Sequence, residues 1–273
     1  MSGIKRNLHS RIDQLLSNFP VIAIVGTRQC GKTTLSKQLR PNWLYMDMEN
    51  PRDYDRITSD PLLFFEQNSG EVIIDEAQID QNLFKILRGV VDNNRGQKNR
   101  FILTGSSSPD LLKNISETLA GRIAYIELSP FKMNERFQVE LSNFYNIFTD
   151  NNFDLLSLEK KLNLNHLSQH WLFGGYPEQL IINKKDYWQD WMLQYRDSYL
   201  NRDIASLFPK LNRINYRRFL QLLAKLSGKI INKADLSRGL EVSQPTIHEY
   251  LSITEGTFLW RNIPSYESNY SKS

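Results

Sequence analysis

A glycine-rich segment near the amino terminus constrains this chain more than any other feature. Residues 26–33 read G-T-R-Q-C-G-K-T, which fits the pattern G-x-x-x-x-G-K-[ST]. The pattern follows an apolar run, 21–25, that has the length and β-branching of a buried strand. After it, Leu35 and Leu39 recur at helical spacing. A strand, a glycine-rich turn and a helix in this order bring backbone N–H groups together at one spot, so the sequence predicts an anion-binding turn.

The residue types in this turn suit a nucleoside triphosphate bound with Mg²⁺. Lys32 is placed to neutralise the β- and γ-phosphates, and the hydroxyl of Thr33 is placed to ligate the cation. The helix N-terminus adds a partial positive charge. We therefore predict ATP and Mg²⁺ as cofactors, and the residues expected to bind them here are Gly26, Thr27, Arg28, Gln29, Cys30, Gly31, Lys32, Thr33 and Thr34.

A second motif is a buried strand, 72–75, that is followed directly by another carboxylate. Asp75 is expected to join Thr33 in holding Mg²⁺, and Glu76 is expected to orient the water that attacks the γ-phosphate. An apolar run that ends in polar residues by chance is the alternative. The place of the motif after Lys32, with one predicted strand between, favours the catalytic interpretation.

Three further polar residues are candidates for catalysis. The strand 101–104 continues into G-S-S, where the Ser106 hydroxyl is our first choice to contact the attacking water and Thr104 the second. A loop-capping role for either stays open. Arg122, in L-A-G-R, is expected to stabilise charge on the transferred phosphoryl group. A salt-bridged structural arginine is an open alternative, and spacing does not decide whether Arg122 acts in its own chain or in a neighbour.

The alternation of strand and helix patterns along the chain predicts the fold class. Helical patterns separate several apolar runs, which favours a mostly parallel sheet covered by helices on both faces. Helical spacing over 4–18 predicts an amphipathic helix before the first strand, and strand patterns stop after 131. The predicted strands are 21–25, 43–47, 72–75, 101–104 and 123–128.

Charge and composition narrow the class of protein. The net charge is +4, and the segment 196–261 holds eleven Lys and Arg against six Asp and Glu, so the positive excess lies there. Such segregation points to a polyanionic partner, with a solvated basic surface as the alternative. One cysteine allows no intrachain disulfide, which fits a cytoplasmic location. No stretch approaches the ~20 apolar residues of a membrane span, and no metal-ligating cluster is expected around His166 and His170.

The carboxy-terminal part carries a helix-turn-helix pattern. Helical runs at 219–224, 232–240 and 243–251 are separated by short turns, and Ser243 is a suitable N-cap. In that arrangement Gln244, Thr246 and His248 would face a DNA groove, and 258–261 would begin a wing. DNA binding through 213–262 is therefore predicted, with subunit or lid contacts as the alternative use of the module.

The motifs together resemble the prokaryotic AAA-type ATPases that bear a DUF4143 region. The resemblance covers about residues 4 to 262, and it implies an AAA+ P-loop core, a helical lid, a winged-helix-like module and ATPase activity. The resemblance also implies that members often carry a nuclease-like fold at the C-terminus. That fold would begin about where this chain stops, so the chain is expected to lack it or to be a fragment. Residues 175–177 also resemble the lid motif of signal-transducing NTPases, in which a proline abuts the nucleotide; this implies a nucleotide contact for Pro177, with an ordinary loop as the alternative. The motifs that carry the resemblance are G-T-R-Q-x-G-K-T-T-L, D-E-A-Q, L-T-G-S-S, L-A-G-R, S-P-F and G-G-Y-P-E.

Taken together, these patterns predict an ATP-hydrolysing protein. The alternative is a nucleotide-gated DNA-binding or regulatory switch with little turnover. Copies of the chain are also expected to form a homo-oligomer that depends on nucleotide. The expected boundaries are an N-terminal helix at 1–20, the ATP-binding core at 21–130, the lid at 131–208, the winged-helix-like module at 209–264 and a flexible tail at 265–273.

Overall fold

The chain folds into two compact units in a computed structural model. The model describes residues 3–106, 118–148, 154, 156, 158, 160–182 and 185–264. Among these, the first unit runs to Leu193 and the second begins at Gln194, which places the division inside the segment expected as the lid. Within the same ranges, none of the helices has the length and apolar character that crossing a bilayer would need.

The first unit is built around a parallel five-stranded sheet with the strand order β2-β3-β4-β1-β5. Every residue of β1 and of β3 is buried, which requires cover on both faces of the sheet. The predicted parallel α/β architecture is confirmed, and the predicted strand bounds agree with the observed ones to within two residues. The strands are β1 Val21–Gly26, β2 Leu44–Asp47, β3 Val72–Asp75, β4 Phe101–Ser106 and β5 Ile123–Glu127.

Helices surround this sheet and supply the core of the unit. Ile12 and Leu16 of α1 are fully buried and belong to one cluster with Ile22 of β1 and Leu35 of α2. Each such side chain contributes about 1.5–3 kcal/mol by leaving water. The helices are α1 His9–Asn18, α2 Lys32–Leu39, α3 Pro51–Thr58, α4 Pro61–Gln67, α5 Asn82–Asp92, α6 Met133–Arg136, α7 Leu164–Phe173, α8 Pro177–Ile182 and α9 Lys185–Ser198, with 3₁₀ turns at Ala77–Ile79 and Asn143–Phe148.

The first helix starts later than its periodicity predicts. Helical spacing begins at residue 4, whereas α1 begins at His9. The backbone N–H of Asn7 instead donates to the carboxylate of Glu135 at 2.6 Å, and Arg6 extends to the same carboxylate. These long-range bonds hold the residues before α1 in a non-helical path, which local periodicity does not detect.

The second unit is helical. The carboxyl end of α9 leads into a π-helical segment, Tyr199–Ile204, and then into α10 Ala205–Leu207, α11 Arg213–Lys225, α12 Lys233–Leu240 and α13 Gln244–Gly256. The side chains of Asn212, Asn232 and Ser243 accept backbone N–H bonds at the starts of α11, α12 and α13, as N-caps do.

The core of this unit combines aromatic rings with a line of hydroxyl groups. Tyr216 and Phe219 are fully buried, and the Tyr216 hydroxyl lies 3.1 Å from that of Tyr199 and 3.0 Å from that of Thr254. The Tyr199 hydroxyl in turn lies 2.7 Å from that of Thr257. Each buried hydroxyl is thereby satisfied, which removes the penalty of burying it.

The predicted wing is wrong for the residues that the structure describes. Residues 258–261 form a turn and irregular backbone, and no strand occurs in the described stretch 194–264. Phe258 has φ +56°, and the N–H groups of Leu259 and Trp260 both donate to the carbonyl of Thr254. Because these N–H groups close the end of α13, they are not available to a β-ladder.

Candidate nucleotide-binding site

The glycine-rich loop joins β1 to α2, and its glycines are required by its shape. Gly26 has φ +153°, and a Cβ there would lie 2.2 Å from the carbonyl oxygen of Leu128, so no side chain fits. Gln29 and Gly31 both have positive φ, of 59° and 97°. The loop therefore curls twice before α2 begins at Lys32, and the first N–H groups of that helix lack intrahelical acceptors. Such an end is suited to an anion.

Lys32 is buried inside the loop. Its side chain is 5% exposed, and its ammonium donates to the carbonyls of Gly26 at 3.2 Å and Thr27 at 3.0 Å. Among the residues that the structure describes, no carboxylate lies within ion-pair distance of this group. A buried cation whose contacts are carbonyls alone is suited to an anionic ligand, since burial without a counter-charge is costly.

Asp75 accepts hydroxyl bonds from three directions. Thr33 of α2 donates to its Oδ2 at 2.6 Å, Tyr45 of β2 donates to the same oxygen at 2.7 Å, and Thr104 of β4 donates to Oδ1. Asp75 is 5% exposed, so these donors replace water around the carboxylate. Burial is the main cause that raises the pKa of Tyr45, and its hydrogen bond to Asp75 is the second. The Tyr45 hydroxyl therefore stays protonated and can donate. The predicted cation ligands, Thr33 and Asp75, are thus brought together.

Glu76 lies immediately after β3 in a strained backbone conformation. Its φ and ψ are 51° and 43°, a left-handed geometry that non-glycine residues adopt at a cost. The side-chain amide of Gln78 donates to its Oε2. Ser106 ends β4 in register with Gly26, so its backbone borders the loop; its side chain lies outside what the structure describes, and its predicted role stays a prediction.

Arg6 holds the outer side of the loop. Its guanidinium donates to the carbonyl of Cys30 at 3.0 Å, to the carbonyl of Ser129 at 2.5 Å and to Glu135 at 3.2 Å, and it lies 4.6 Å from the centre of the Phe131 ring. The side chain is 5% exposed. Arg6 therefore ties the loop backbone to the chain that follows β5.

The segment 174–177 packs against this same region. The N–H of Phe131 donates to the carbonyl of Gly175 at 2.7 Å, and a Cβ on Gly175 would lie 2.2 Å from the Phe131 oxygen, so only glycine fits. Two residues later, Pro177 Cγ comes within 3.8 Å of the position that a Cβ on Gly31 would occupy. Pro177 therefore lies close to the loop, and its contact with a nucleotide stays a prediction.

Arg122 lies at the opposite end of the strands from the loop. It precedes β5, whose first residue pairs with Val21 at the start of β1, so about 16 Å of strand separates it from the loop end of the sheet. Its guanidinium forms a two-pronged ion pair with Asp92, at 2.7 and 2.9 Å, and these bonds lower the pKa of Asp92. The salt-bridged alternative describes Arg122 in this structure, and this geometry does not allow it to act at the loop of its own chain.

Sequence patterns missed several residues of this site. Arg6 bonds the loop, Tyr45 bonds Asp75 and Gln78 bonds Glu76. Glu135 bonds Arg6 and so supports the loop indirectly. None of the four belongs to the loop pattern or the paired carboxylates. Except for Gln78, their partners lie on strands and segments that are distant along the chain. No sequence feature other than Gln78 standing two residues after Glu76 points to any of them.

Comparison with known families gives two matches. Residues 18–137 match the family AAA_14, described as an AAA domain, and residues 164–273 match DUF8612, a domain of unknown function. The first match agrees with the loop and the carboxylate pair and supports an AAA-type ATPase. The second differs from the DUF4143 region that the resemblance implied.

Comparison with individual proteins extends the likeness over the whole chain. The uncharacterized protein Rv2008c of Mycobacterium tuberculosis is 31% identical over 271 residues, which are 98% of this chain and 55% of that protein. The uncharacterized protein MJ1544 of Methanocaldococcus jannaschii is 25% identical over 86% of this chain and 54% of its own. The chain thus spans about half the length of these relatives. A Walker-type ATPase of Pyrococcus abyssi has the same fold, with a TM-score of 0.54, 16% identity and coverage of 93% and 89% of the two chains.

Proposed function

We propose that this chain binds ATP with Mg²⁺ and hydrolyses it to ADP and phosphate. The observation that carries the proposal is the contact between Thr33 and Asp75, 2.6 Å apart, beside a loop that encloses the Lys32 ammonium. A hydroxyl and a carboxylate are the oxygen ligands that Mg²⁺ takes beside a bound triphosphate. When bound, the cation neutralises charge on the β- and γ-phosphate oxygens.

Each residue of the site is assigned a role that suits the chemistry of its side chain. Lys32 exchanges its two carbonyl contacts for phosphate oxygens, and the N–H groups at the start of α2 hold the phosphates. Glu76 accepts a proton from the water whose oxygen attacks the γ-phosphorus, while the bond to the ADP oxygen breaks. Ser106 is proposed to hydrogen-bond that water.

Two substitutions test the assignment of roles. Lys32→Ala removes the buried cation and should abolish binding of a fluorescent ATP analogue, measured by anisotropy. Glu76→Gln should bind that analogue normally and release phosphate at least ~10²-fold more slowly, as loss of a general base does. Lys85→Ala and Glu66→Gln, both on exposed residues, are the matched controls. Normal phosphate release by Glu76→Gln would refute the assigned base, and normal binding by Lys32→Ala would refute the site.

Arg122 is proposed to act across a contact between copies of the chain. Because Arg122 lies at the amino end of β5, away from the loop of its own chain, its role requires a nucleotide bound to a neighbouring copy. Light scattering with a non-hydrolysable ATP analogue should then show a larger assembly, and Arg122→Ala should lower turnover in that assembly without lowering ATP affinity. A monomer under every nucleotide condition rejects this role.

A second candidate function is a nucleotide-gated DNA-binding switch with little turnover. It is favoured by α12 and α13, where Gln244 and His248 are exposed and the Lys233 ammonium lies 2.8 Å from the His248 ring. Replacing Arg218 and Lys233 with alanine should weaken DNA binding and reduce the salt slope by about one per lost phosphate contact. Lys98→Ala, in the first unit, is the control. Absence of DNA affinity at low salt, with and without ATP, rejects this candidate.

A further inference from the structure

Tyr45 reaches the predicted cation site from a neighbouring strand. On β2, Tyr45 is paired with Ile73, and Asp47 is paired with Asp75. The Tyr45 side chain therefore extends diagonally along the sheet, past its own register partner, to place its hydroxyl 2.7 Å from Asp75 Oδ2. Aromatic side chains are long enough for such diagonal contacts. Neither the loop pattern nor the paired carboxylates include this residue.

Two hydroxyls on different elements share one carboxylate oxygen. Thr33 and Tyr45 both donate to Oδ2 of Asp75, and Thr104 donates to Oδ1. Thr33 is itself a predicted ligand, so its oxygen must serve a cation. Tyr45 and Thr104 are not among the predicted ligands, so their bonds serve to fix the orientation of the carboxylate.

The ring of Tyr45 is held in place independently of its hydroxyl. The ammonium of Lys37 lies 3.4 Å from the centre of the ring. Lys37 stands one helical turn after Thr33 on α2, so one face of that helix contacts both Tyr45 and Asp75. A phenylalanine at position 45 would keep the ring and its contact with Lys37 and lose only the hydroxyl.

We infer that Tyr45 is a positioning residue that orients Asp75 for the divalent cation. This inference rests on the proposed function, because it assumes that Asp75 serves Mg²⁺ bound with ATP. Removing a hydrogen-bond partner of a metal ligand costs about 10–100-fold in metal affinity in proteins where it has been measured. The effect should appear only when the cation is present, because Tyr45 makes no contact with the phosphate-binding loop among the contacts described.

The test separates cation-dependent binding from binding of the nucleotide alone. Affinity of a fluorescent ATP analogue is measured with EDTA and with Mg²⁺, and Mn²⁺ binding to the nucleotide complex is followed by electron paramagnetic resonance. Tyr45→Phe should match the wild type in EDTA and bind about tenfold more weakly with the cation. Tyr125→Phe, on a β5 side chain that is 64% exposed, is the control and should be unchanged.

Each outcome decides a different statement. If Tyr45→Phe shows the wild-type gain in affinity on adding Mg²⁺ and the wild-type Mn²⁺ spectrum, the inference is wrong, while the proposed function stands. If Tyr45→Phe is weakened equally in EDTA, Tyr45 supports the fold and does not position Asp75, which also overturns the inference. If the wild type binds no analogue under either condition, the proposed function itself fails.

Discussion

Removing the Arg6 guanidinium should destabilise the first unit far more than its position in a terminal segment suggests. Arg6 donates to Glu135, to the carbonyl of Cys30 and to the carbonyl of Ser129, and its side chain is almost fully buried. Breaking a buried ion pair by deleting one partner costs about 3–5 kcal/mol, because the other charge is left in a poorly solvated place. For a unit of this size, 1 kcal/mol moves the melting temperature by about 2–4 °C. We therefore expect Arg6→Met to lower the melting temperature of the first unit by roughly 6–20 °C.

Urea unfolding and differential scanning fluorimetry measure this loss directly. Arg11→Met is the matched control, because Arg11 is exposed and its guanidinium bonds only Gln14 among the contacts described. Glu135→Gln should also destabilise, and Arg6→Met combined with Glu135→Gln should cost clearly less than the sum of the two single changes. Equal midpoints for Arg6→Met and Arg11→Met would refute the assigned role of the network.

Two further predictions concern the packing of the loop region. The Cys30 thiol is fully buried, and burial raises its pKa. Iodoacetamide at pH 8 should therefore label the native chain on the order of 10²-fold more slowly than the urea-unfolded chain. Equal labelling rates would contradict the buried placement of Cys30. Gly175→Ala forces a Cβ to within 2.2 Å of the Phe131 oxygen and should destabilise by about 1–3 kcal/mol or more. Gly89→Ala, in a helix with open space around it, is the control and should stabilise by about 0.5–1 kcal/mol. A urea midpoint for Gly175→Ala at or above that of the wild type would show that the close approach does not constrain the segment 174–177.

The sheet of the first unit could be predicted from sequence because its signals are local. The central strands β1 and β3 are apolar runs whose residues are buried on both faces, so composition over four to six positions defines them. The late start of α1 and the irregular backbone at 258–261, where the sequence predicts a wing, could not be predicted in the same way. In both places backbone N–H groups are taken by partners outside the pattern, the Glu135 carboxylate in one case and the Thr254 carbonyl in the other.

The predicted site shows the same division between local and distant information. The loop, Thr33 and Asp75 could be predicted because the chemistry of a bound phosphate and cation demands those residue types in a fixed order. Tyr45 could not, since its role depends on strand order: β2 lies beside β3 only after the sheet has formed. The placement of Arg122 likewise follows from the register of β5 with β1, which spacing along the chain does not reveal.

The contacts of the loop explain why residues so far apart along the chain belong to one site. The phosphate side of the loop is formed by the start of α2, whereas its outer side is held by Arg6 and lies close to Pro177. Arg6 bonds the carbonyl of Cys30 within the loop, so a change in the loop backbone must alter the geometry of the buried Arg6–Glu135 pair as well. Close-packed, hydrogen-bonded interiors transmit such displacements because they have no slack to absorb them. Arg6 therefore links the loop to the segments after β5, in addition to the close approach of Gly26 to the carbonyl of Leu128. Arg6→Met removes this link without changing any residue that is predicted to bind phosphate.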